Sequence, residues 1–117
     1  MRPRPTRDTN RFGKDLATGT YDLIILDVLR DGPAYSYQIK RRIWEQSKRT
    51  ILWRDGTIYP VLHHLERRHL VASQPVTPTK GHPRRYYRLT DRGVRVWKKQ
   101  RQQWRAFSAA TNALLNL

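Results

Sequence analysis

The spacing of apolar residues changes sharply after Leu65, and this change limits the folds that the chain can adopt. Up to that point, Ile58, Leu62 and Leu65 recur at intervals of four and three residues, which is the spacing of a helical face. Beyond it, residues 70–74 and 84–89 are short strand candidates, separated by nine residues that include three prolines and a glycine. The chain is therefore predicted to place a β-hairpin directly after a helix.

Two more helices are predicted upstream. Residues 20–30 form an apolar run that stops at a Gly-Pro pair, and its length and its stop favour a buried helix over a buried strand. Ser36 is predicted to cap the second helix, in which Ile39 and Ile43 share one face. Three successive helices followed by a hairpin with a basic tip predict a winged helix-turn-helix.

The start of the third helix is open between two positions. If this helix begins at Asp55, Pro60 falls beyond the first turn, where a proline kinks a helix. If it begins at Thr57, Pro60 is accommodated without a kink.

A long helix is predicted at the end of the chain, capped by Thr90 and beginning at Asp91. Its apolar and aromatic residues repeat at spacings of three and four, and they extend about three turns further than a core of this size can cover. This seam comprises Val94, Trp97, Arg101, Trp104, Phe107, Thr111 and Leu114.

The charge balance predicts a polyanionic partner. The 117 residues include 24 Lys and Arg against 9 Asp and Glu, so the formal net charge is +15. The longest apolar run, residues 23–26, is far too short to span a membrane, and no signal peptide is recognised at the N-terminus. The absence of cysteine excludes disulfides and thiolate zinc sites and fits a cytoplasmic location. Nucleic acid is the predicted partner.

Four blocks of the sequence, in order, resemble the PadR-type transcriptional regulators, in particular the short members without a separate C-terminal domain. The blocks are GPAYSYQI at 32–39, DGTIYPVL at 55–62, LERRHLV at 65–71 and GHPRRYYRLT at 81–90. The likeness covers about residues 16–115. It implies a winged helix-turn-helix that pairs as a homodimer through its last helix. It also implies binding to double-stranded DNA, repression of target genes and, in some relatives, release of DNA by aromatic compounds or drugs.

The sequence departs from the family pattern at three places. Ser36 replaces a usual glycine, and Arg54-Asp55 replaces a usual Ser-Pro pair, which moves the predicted helix cap to Asp55. His69 stands where a glycine normally closes the third helix, so it is expected to adopt the left-handed conformation.

The predicted fold class is α+β, mostly α: a winged helix-turn-helix with a long C-terminal dimerisation helix. Residues 1–15 are predicted to be a disordered basic arm, residues 16–90 the DNA-binding domain, and residues 91–117 the dimerisation helix. The arm is either a solvated tail or a contact to DNA.

Gly56 permits close approach of a backbone to DNA, and Thr57, Tyr59 and His63 are placed to contact bases or phosphates. Alternatively, Tyr59 and Pro60 only shape the turn. The basic hairpin tip is expected to follow phosphates or enter the minor groove. The family resemblance assigns a backbone contact to Tyr37, whose ring could equally pack on the third helix. The predicted DNA-binding residues are Tyr37, Lys40, Gly56, Thr57, Tyr59, Pro60, His63, Lys80, Gly81, His82, Arg84 and Arg85.

The seam residues Trp97, Arg101 and Trp104 have two interpretations. Aromatic residues at helical spacing pack against a partner helix, here the second protomer. In some relatives the counterpart of Trp97 stacks on a planar ligand, and the Arg101 cation would suit an anionic effector.

Enzyme activity is not predicted, because no nucleophile motif, phosphate-binding glycine loop or paired carboxylates stand out. The histidines at 63, 64 and 69 lack the spacing of a metal site, and neither a metal nor another cofactor is expected. The sequence therefore predicts a DNA-binding transcriptional regulator, and the alternative is a non-specific nucleic-acid binder driven by positive charge.

Overall fold

A computed structural model describes residues 20–117, so the predicted basic arm lies outside the described residues. The described chain contains four helices and two strands in the predicted order. They are α1 (Tyr21–Val28), α2 (Ser36–Gln46), α3 (Asp55–Arg67), β1 (Val71–Val76), β2 (Arg84–Leu89) and α4 (Asp91–Leu115). The predicted fold class, a mostly helical winged helix-turn-helix with a long last helix, is confirmed.

The two strands form an antiparallel hairpin whose register runs from Val71 opposite Leu89 to Val76 opposite Arg84. Ala34, which lies two residues before α2, extends this sheet, because Ala34 and Tyr87 exchange two backbone hydrogen bonds of 3.0 and 2.9 Å. The hairpin is therefore tied to the entrance of the helix-turn-helix as well as to the end of α3.

The hydrophobic core lies where α1, α2, α3 and the base of the hairpin meet. Each helix buries one apolar stripe, and the hairpin adds Tyr87 from the face that points inward. Burial raises the pKa of the Tyr87 phenol, and the nearby Glu66 carboxylate raises it further. The core side chains that are at most 2% exposed are Ile25, Leu26, Leu29, Ala34, Ile39, Trp53, Ile58, Leu62, Leu65, Leu70, Val71 and Tyr87.

Two of the predicted helix ends are confirmed. His69 has a φ of 60° and closes α3, where the Leu70 N–H donates to the Leu65 carbonyl at 3.0 Å. Thr90 caps α4 by accepting a 2.9 Å hydrogen bond from the Gly93 N–H, and its hydroxyl donates to the His69 carbonyl at 2.7 Å. Thr90 therefore joins the end of α3 to the start of α4.

The two other predicted caps are wrong. The residue before α2 is Tyr35, whose N–H donates to the side chain of Gln38 at 3.2 Å, while Ser36 already belongs to the helix. Likewise Arg54 precedes α3, and Asp55 is its first helical residue. Ser36 and Asp55 are instead the first residues of their helices, and their side chains contact Tyr59 and Lys40 of the neighbouring helix.

Gly93 lets α4 approach the hairpin closely. A Cβ atom at this position would lie 2.0 Å from the Leu70 carbonyl oxygen, a distance that no side chain tolerates. The same carbonyl accepts a 3.1 Å hydrogen bond from the Thr90 N–H, so the backbone there has little freedom to move. The missing side chain at Gly93 therefore sets the position of the last helix.

Beyond its first two turns α4 leaves the core. Its C-terminal part carries large apolar side chains that the described chain does not cover: Trp104 (48% exposed), Phe107 (65%), Leu114 (86%) and Leu115 (62%); Leu117, just past the helix, is 88% exposed. The predicted extension of the seam past the core is thus present in the fold.

Candidate nucleic-acid interface

Helix α3 divides into a buried face and an open face. Ile58, Leu62 and Leu65 are completely buried in the core, because they recur on one side of the helix. The opposite side carries residues that the sequence predicted as DNA contacts: Gly56, Tyr59, Pro60 and His63 are exposed, and Thr57 is half-buried. Five of the predicted residues therefore share one end of one helix.

The start of α3 is resolved in favour of Asp55. Pro60 consequently lies inside the helix, at its sixth residue, and the helix continues through it. A proline there has no N–H to donate to the Gly56 carbonyl, which leaves that carbonyl without its usual helical donor. Both residues are exposed, so the altered segment of backbone lies at the surface.

Nothing in residues 20–117 requires a glycine at position 56. Among these residues, a Cβ atom there would meet nothing within 4 Å, and the backbone conformation is one that any residue adopts. Alanine would favour the helix by about 0.5–1 kcal/mol over glycine. Gly56 thus differs from Gly93, which the chain's own packing requires.

Two contacts join the start of α3 to the start of α2. The hydroxyl groups of Ser36 and Tyr59 are 3.1 Å apart, and Nζ of Lys40 lies 3.1 Å from a carboxylate oxygen of Asp55. Lys40 is therefore partly neutralised, although it remains at the surface beside the exposed turn. The carboxylate also lies in the first turn of α3, where it suits the positive end of the helix dipole.

Tyr35 links these helices to the hairpin. Its ring stacks on the exposed ring of Tyr37 at a centroid distance of 6.4 Å and meets the edge of Tyr86 at 5.3 Å. The guanidinium carbon of Arg84 lies 4.6 Å from the centre of the same ring. A cation over an aromatic face is attracted by the ring quadrupole, so Arg84 is held beside the entrance to α2.

Arg84 and Arg85 were both predicted as DNA contacts, and the alternation along the strand predicted that they lie on opposite faces of the hairpin, as they do. A nitrogen of Arg85 donates to the Ser73 hydroxyl at 3.1 Å, and that hydroxyl donates to a Glu66 carboxylate oxygen at 2.6 Å. Arg85 is thus directed towards α3 at its C-terminal end.

The connection between the strands carries the remaining predicted cations. Lys80 and His82 are exposed on either side of Gly81, whose φ of 105° is accessible mainly to glycine. The structure therefore places them at the tip of the hairpin, beyond the last paired residues Val76 and Arg84.

The seam residues of α4 form a separate region. Trp97 is packed against the core, and its Nε1 donates to Asp27 in α1 at 2.9 Å. The guanidinium carbon of Arg101 lies 5.9 Å from the centre of the Trp97 ring. Arg101 and Trp104 line one side of an open groove of about 320 Å³. Its other side is formed by aliphatic residues of α1 and α2, by Ile51 and by the polar side chains of Asp27, Gln46 and Ser47.

Sequence reasoning missed Tyr35 and Tyr86, which connect the hairpin to the helices. The alternation along β2 placed Arg84, Tyr86 and Arg88 on one face, and this was a usable signal for a shared surface. No local pattern could have paired Tyr35 with Arg84, because 48 residues separate them along the chain.

This combination, a helix-turn-helix core with an exposed first turn on α3 and a basic wing, defines a winged-helix regulator of the DNA-binding class. The sequence profile described as the Transcriptional regulator PadR-like family matches residues 25–99. The chain belongs to this family of transcriptional regulators.

Solved structures of several bacterial regulators are similar over most of their length. A transcriptional regulator from Clostridium thermocellum superposes with a TM-score of 0.77 at 27% identity, covering 86% of this chain and 95% of the other. A PadR family regulator from Clostridium difficile R20291 gives 0.72 at 28% identity, covering 83% and 99%. One from Eggerthella lenta gives 0.69 at 32% identity, covering 86% and 82%.

Two further findings concern residues 20–117 only. None of their helices combines the length and apolar character needed to cross a membrane. Their histidines and carboxylates do not gather into a cluster of three or more that could hold a metal ion.

Proposed function

We propose that this chain is a homodimeric, sequence-specific DNA-binding repressor that inserts the first turns of α3 into the major groove. The observation that carries the proposal is Gly56, a glycine on an exposed helical turn where neither the backbone angle nor internal packing requires it. Close approach of an external backbone or base edge is the remaining physical reason for a missing side chain at that turn.

In this proposal the residues of α3 divide into two roles. Thr57, Tyr59 and His63 read base edges, since all three lie in the N-terminal part of the helix, where Thr57 is half-buried and the other two are exposed. The ring of His63 lies 6.1 Å from that of Tyr59, whose hydroxyl is held by Ser36, so the two side chains present one polar surface. Tyr37 and Lys40 then contact phosphates and position the helix.

The wing supplies further phosphate contacts in this arrangement. Arg84, the hairpin tip and the net charge of +15 favour a polyanion over any neutral partner. Each cation that meets a phosphate releases condensed counterions, so affinity is expected to fall steeply as salt rises.

Homodimerisation is proposed through α4. Its exposed apolar residues, from Trp104 to Leu115, are too many for a free helix surface and are expected to pack on a second copy. Two protomers related by a two-fold axis would present their α3 helices to half-sites about 34 Å apart.

Selection of bound duplexes from a random pool, followed by footprinting, tests this proposal. We expect an enriched inverted repeat, with protected half-sites one helical turn apart and a dimer by light scattering. No enriched sequence, together with equal affinity for selected and bulk DNA, would favour the alternative of a non-specific nucleic-acid binder. Reporter expression with and without the protein then separates repression from activation.

A planar aromatic effector is the second part of the proposal. The groove beside Arg101 and Trp104 supports it, because aliphatic side chains line much of it and Arg101 has no carboxylate within salt-bridge distance among the described residues. Asp27 also lines the groove, and its two carboxylate oxygens accept hydrogen bonds from Trp97 and Arg30. Titration of tryptophan fluorescence with planar aromatic acids, with Trp97→Phe as the control for signal assignment, tests binding. An unchanged signal and unchanged DNA affinity at saturating concentrations would contradict it.

A further inference from the structure

Strand β2 sorts the cations of the wing between two faces. Arg84, Tyr86 and Arg88 point to the outer face, while Arg85 shares the inner face with the buried Tyr87. Arg85 and Arg88 are therefore both exposed and equally charged residues of one strand, yet they have different surroundings.

The outer face is continuous with the start of the helix-turn-helix. Tyr35 touches Tyr37, Tyr86 and Arg84, and its neighbour Ser36 contacts Tyr59 on the open side of α3. We use the name tyrosine–arginine face for the surface formed by Tyr35, Tyr37, Arg84, Tyr86 and Arg88.

This face has features that suit an anionic backbone. Within residues 20–117, neither Arg84 nor Arg88 has a carboxylate within salt-bridge distance. Arg88 and Tyr86 also line a cleft of about 270 Å³ together with Pro33 and Gln74. Free guanidinium groups, phenol hydroxyls and an amide are donors that phosphate oxygens accept.

The inner face has the opposite character. Arg85 donates to the Ser73 hydroxyl, which in turn donates to the Glu66 carboxylate, so a hydrogen-bond chain ties Arg85 to α3. Glu66 lies seven residues after Tyr59 in α3, which is about 10 Å further along the helix from the exposed first turns. Arg85 is thus drawn away from the end of α3 that carries the open turn.

We propose that the tyrosine–arginine face binds the phosphate backbone of duplex DNA beside the groove that α3 enters. Arg88 is one of its phosphate contacts, and Arg85 is not. This inference rests on the proposed function, and it departs from the sequence expectation, which treated Arg84 and Arg85 alike and left Arg88 out.

The test compares Arg88→Gln with Arg85→Gln in the full chain. Both variants lower the net charge by one, so a general effect of charge is the same in both. Affinity for the selected duplex and for a random duplex is measured across a series of salt concentrations. For Arg88→Gln, we expect the slope of log affinity against log salt to become shallower by about 0.9 on both duplexes. For Arg85→Gln we expect the wild-type slope.

Arg88→Lys keeps a point charge at the same place and is expected to restore the slope, which excludes a folding defect as the cause. Equal changes in the two glutamine variants, or a larger change for Arg85→Gln, would overturn the assignment while leaving the proposed function intact. If the wild-type chain binds neither duplex, the proposed function fails, and this inference fails with it.

Discussion

The indole Nε1 of Trp97 donates a 2.9 Å hydrogen bond to Oδ1 of Asp27, which joins the last helix to the first across 70 residues of sequence. The second oxygen of this carboxylate accepts from Arg30 at 2.6 Å, so both oxygens of Asp27 have donors. Trp97 therefore stabilises the protomer itself, and the part of α4 left open for a partner begins one turn later, near Arg101 and Trp104.

Replacing Trp97 with Phe is expected to lower the free energy of unfolding by about 1–2 kcal/mol, because it removes a hydrogen bond to a charged acceptor while keeping an aromatic ring. Denaturant unfolding at fixed protein concentration measures the loss. Lys98→Ala, at an exposed position of the same helix, is the control. A loss no larger than that of the control would mean that the bond contributes little.

Gly56→Ala is expected to raise stability by up to about 1 kcal/mol and to weaken DNA binding about tenfold or more, the equivalent of 1.4 kcal/mol. The helix gains a better helix former, while the added methyl group occupies the surface that DNA approaches. Thermal unfolding and binding titrations on the same preparation measure both effects. Wild-type affinity in a stabilised variant would contradict a close approach at this turn.

Gly93→Ala is expected to do the reverse and destabilise the fold by about 3 kcal/mol or more. The new Cβ atom would collide with the Leu70 carbonyl, and α4 would have to move away from the hairpin. Arg95→Ala, at an exposed position two residues on, should change stability by less than about 0.5 kcal/mol. Similar unfolding midpoints for the two variants would show that α4 can move away from the hairpin at little cost in stability.

His63→Ala is expected to relax the preference at particular base pairs of the operator, at a cost of about 1–3 kcal/mol on the preferred sequence. His64→Ala is the matched control, because the His64 ring lies 3.5 Å from Asp22 of α1. Selection of duplexes with each variant measures the preference at every position. Equal losses of affinity on operator and random DNA for His63→Ala would exclude a base contact.

Tyr87→Phe is expected to reduce the loss of stability at alkaline pH. The pKa of Tyr87 in the folded state lies above its ordinary value of 10, mainly because the phenol is buried. The contribution of the neutral phenol to the stability of the fold is complete below the ordinary pKa of 10. It is lost as the pH rises from there through the raised pKa of the folded state, since unfolding allows the phenol to ionise. Urea midpoints between about pH 8 and pH 11 measure the decline. Tyr37→Phe, which changes an exposed phenol, should keep the wild-type decline; an identical decline in Tyr87→Phe would contradict the prediction.

The secondary structure was largely predictable because it depends on local properties. Helical spacing identified the buried face of α3, and alternation identified the two faces of β2. The left-handed conformation of His69 followed from the family resemblance, because a glycine usually stands there. The errors were at caps. Ser36 and Asp55 are good capping residues by type, but their side chains contact Tyr59 and Lys40 instead, and such contacts leave no local trace in the sequence.

By itself the sequence determined the order of the elements, the polyanionic character of the partner and the surplus of apolar residues at the end of α4. These follow from periodicity, charge and composition, which act over a few residues or over the chain as a whole. Only the tertiary structure decided that a Cβ atom would meet nothing among the described residues at position 56 and would collide with Leu70 at position 93, and that Trp97 donates to Asp27 of its own protomer. It also showed that Arg85 is linked through Ser73 to Glu66, while Arg84 lies over the ring of Tyr35. These distinctions depend on contacts between residues that are far apart in the sequence, and such contacts are set by the packing of the whole domain.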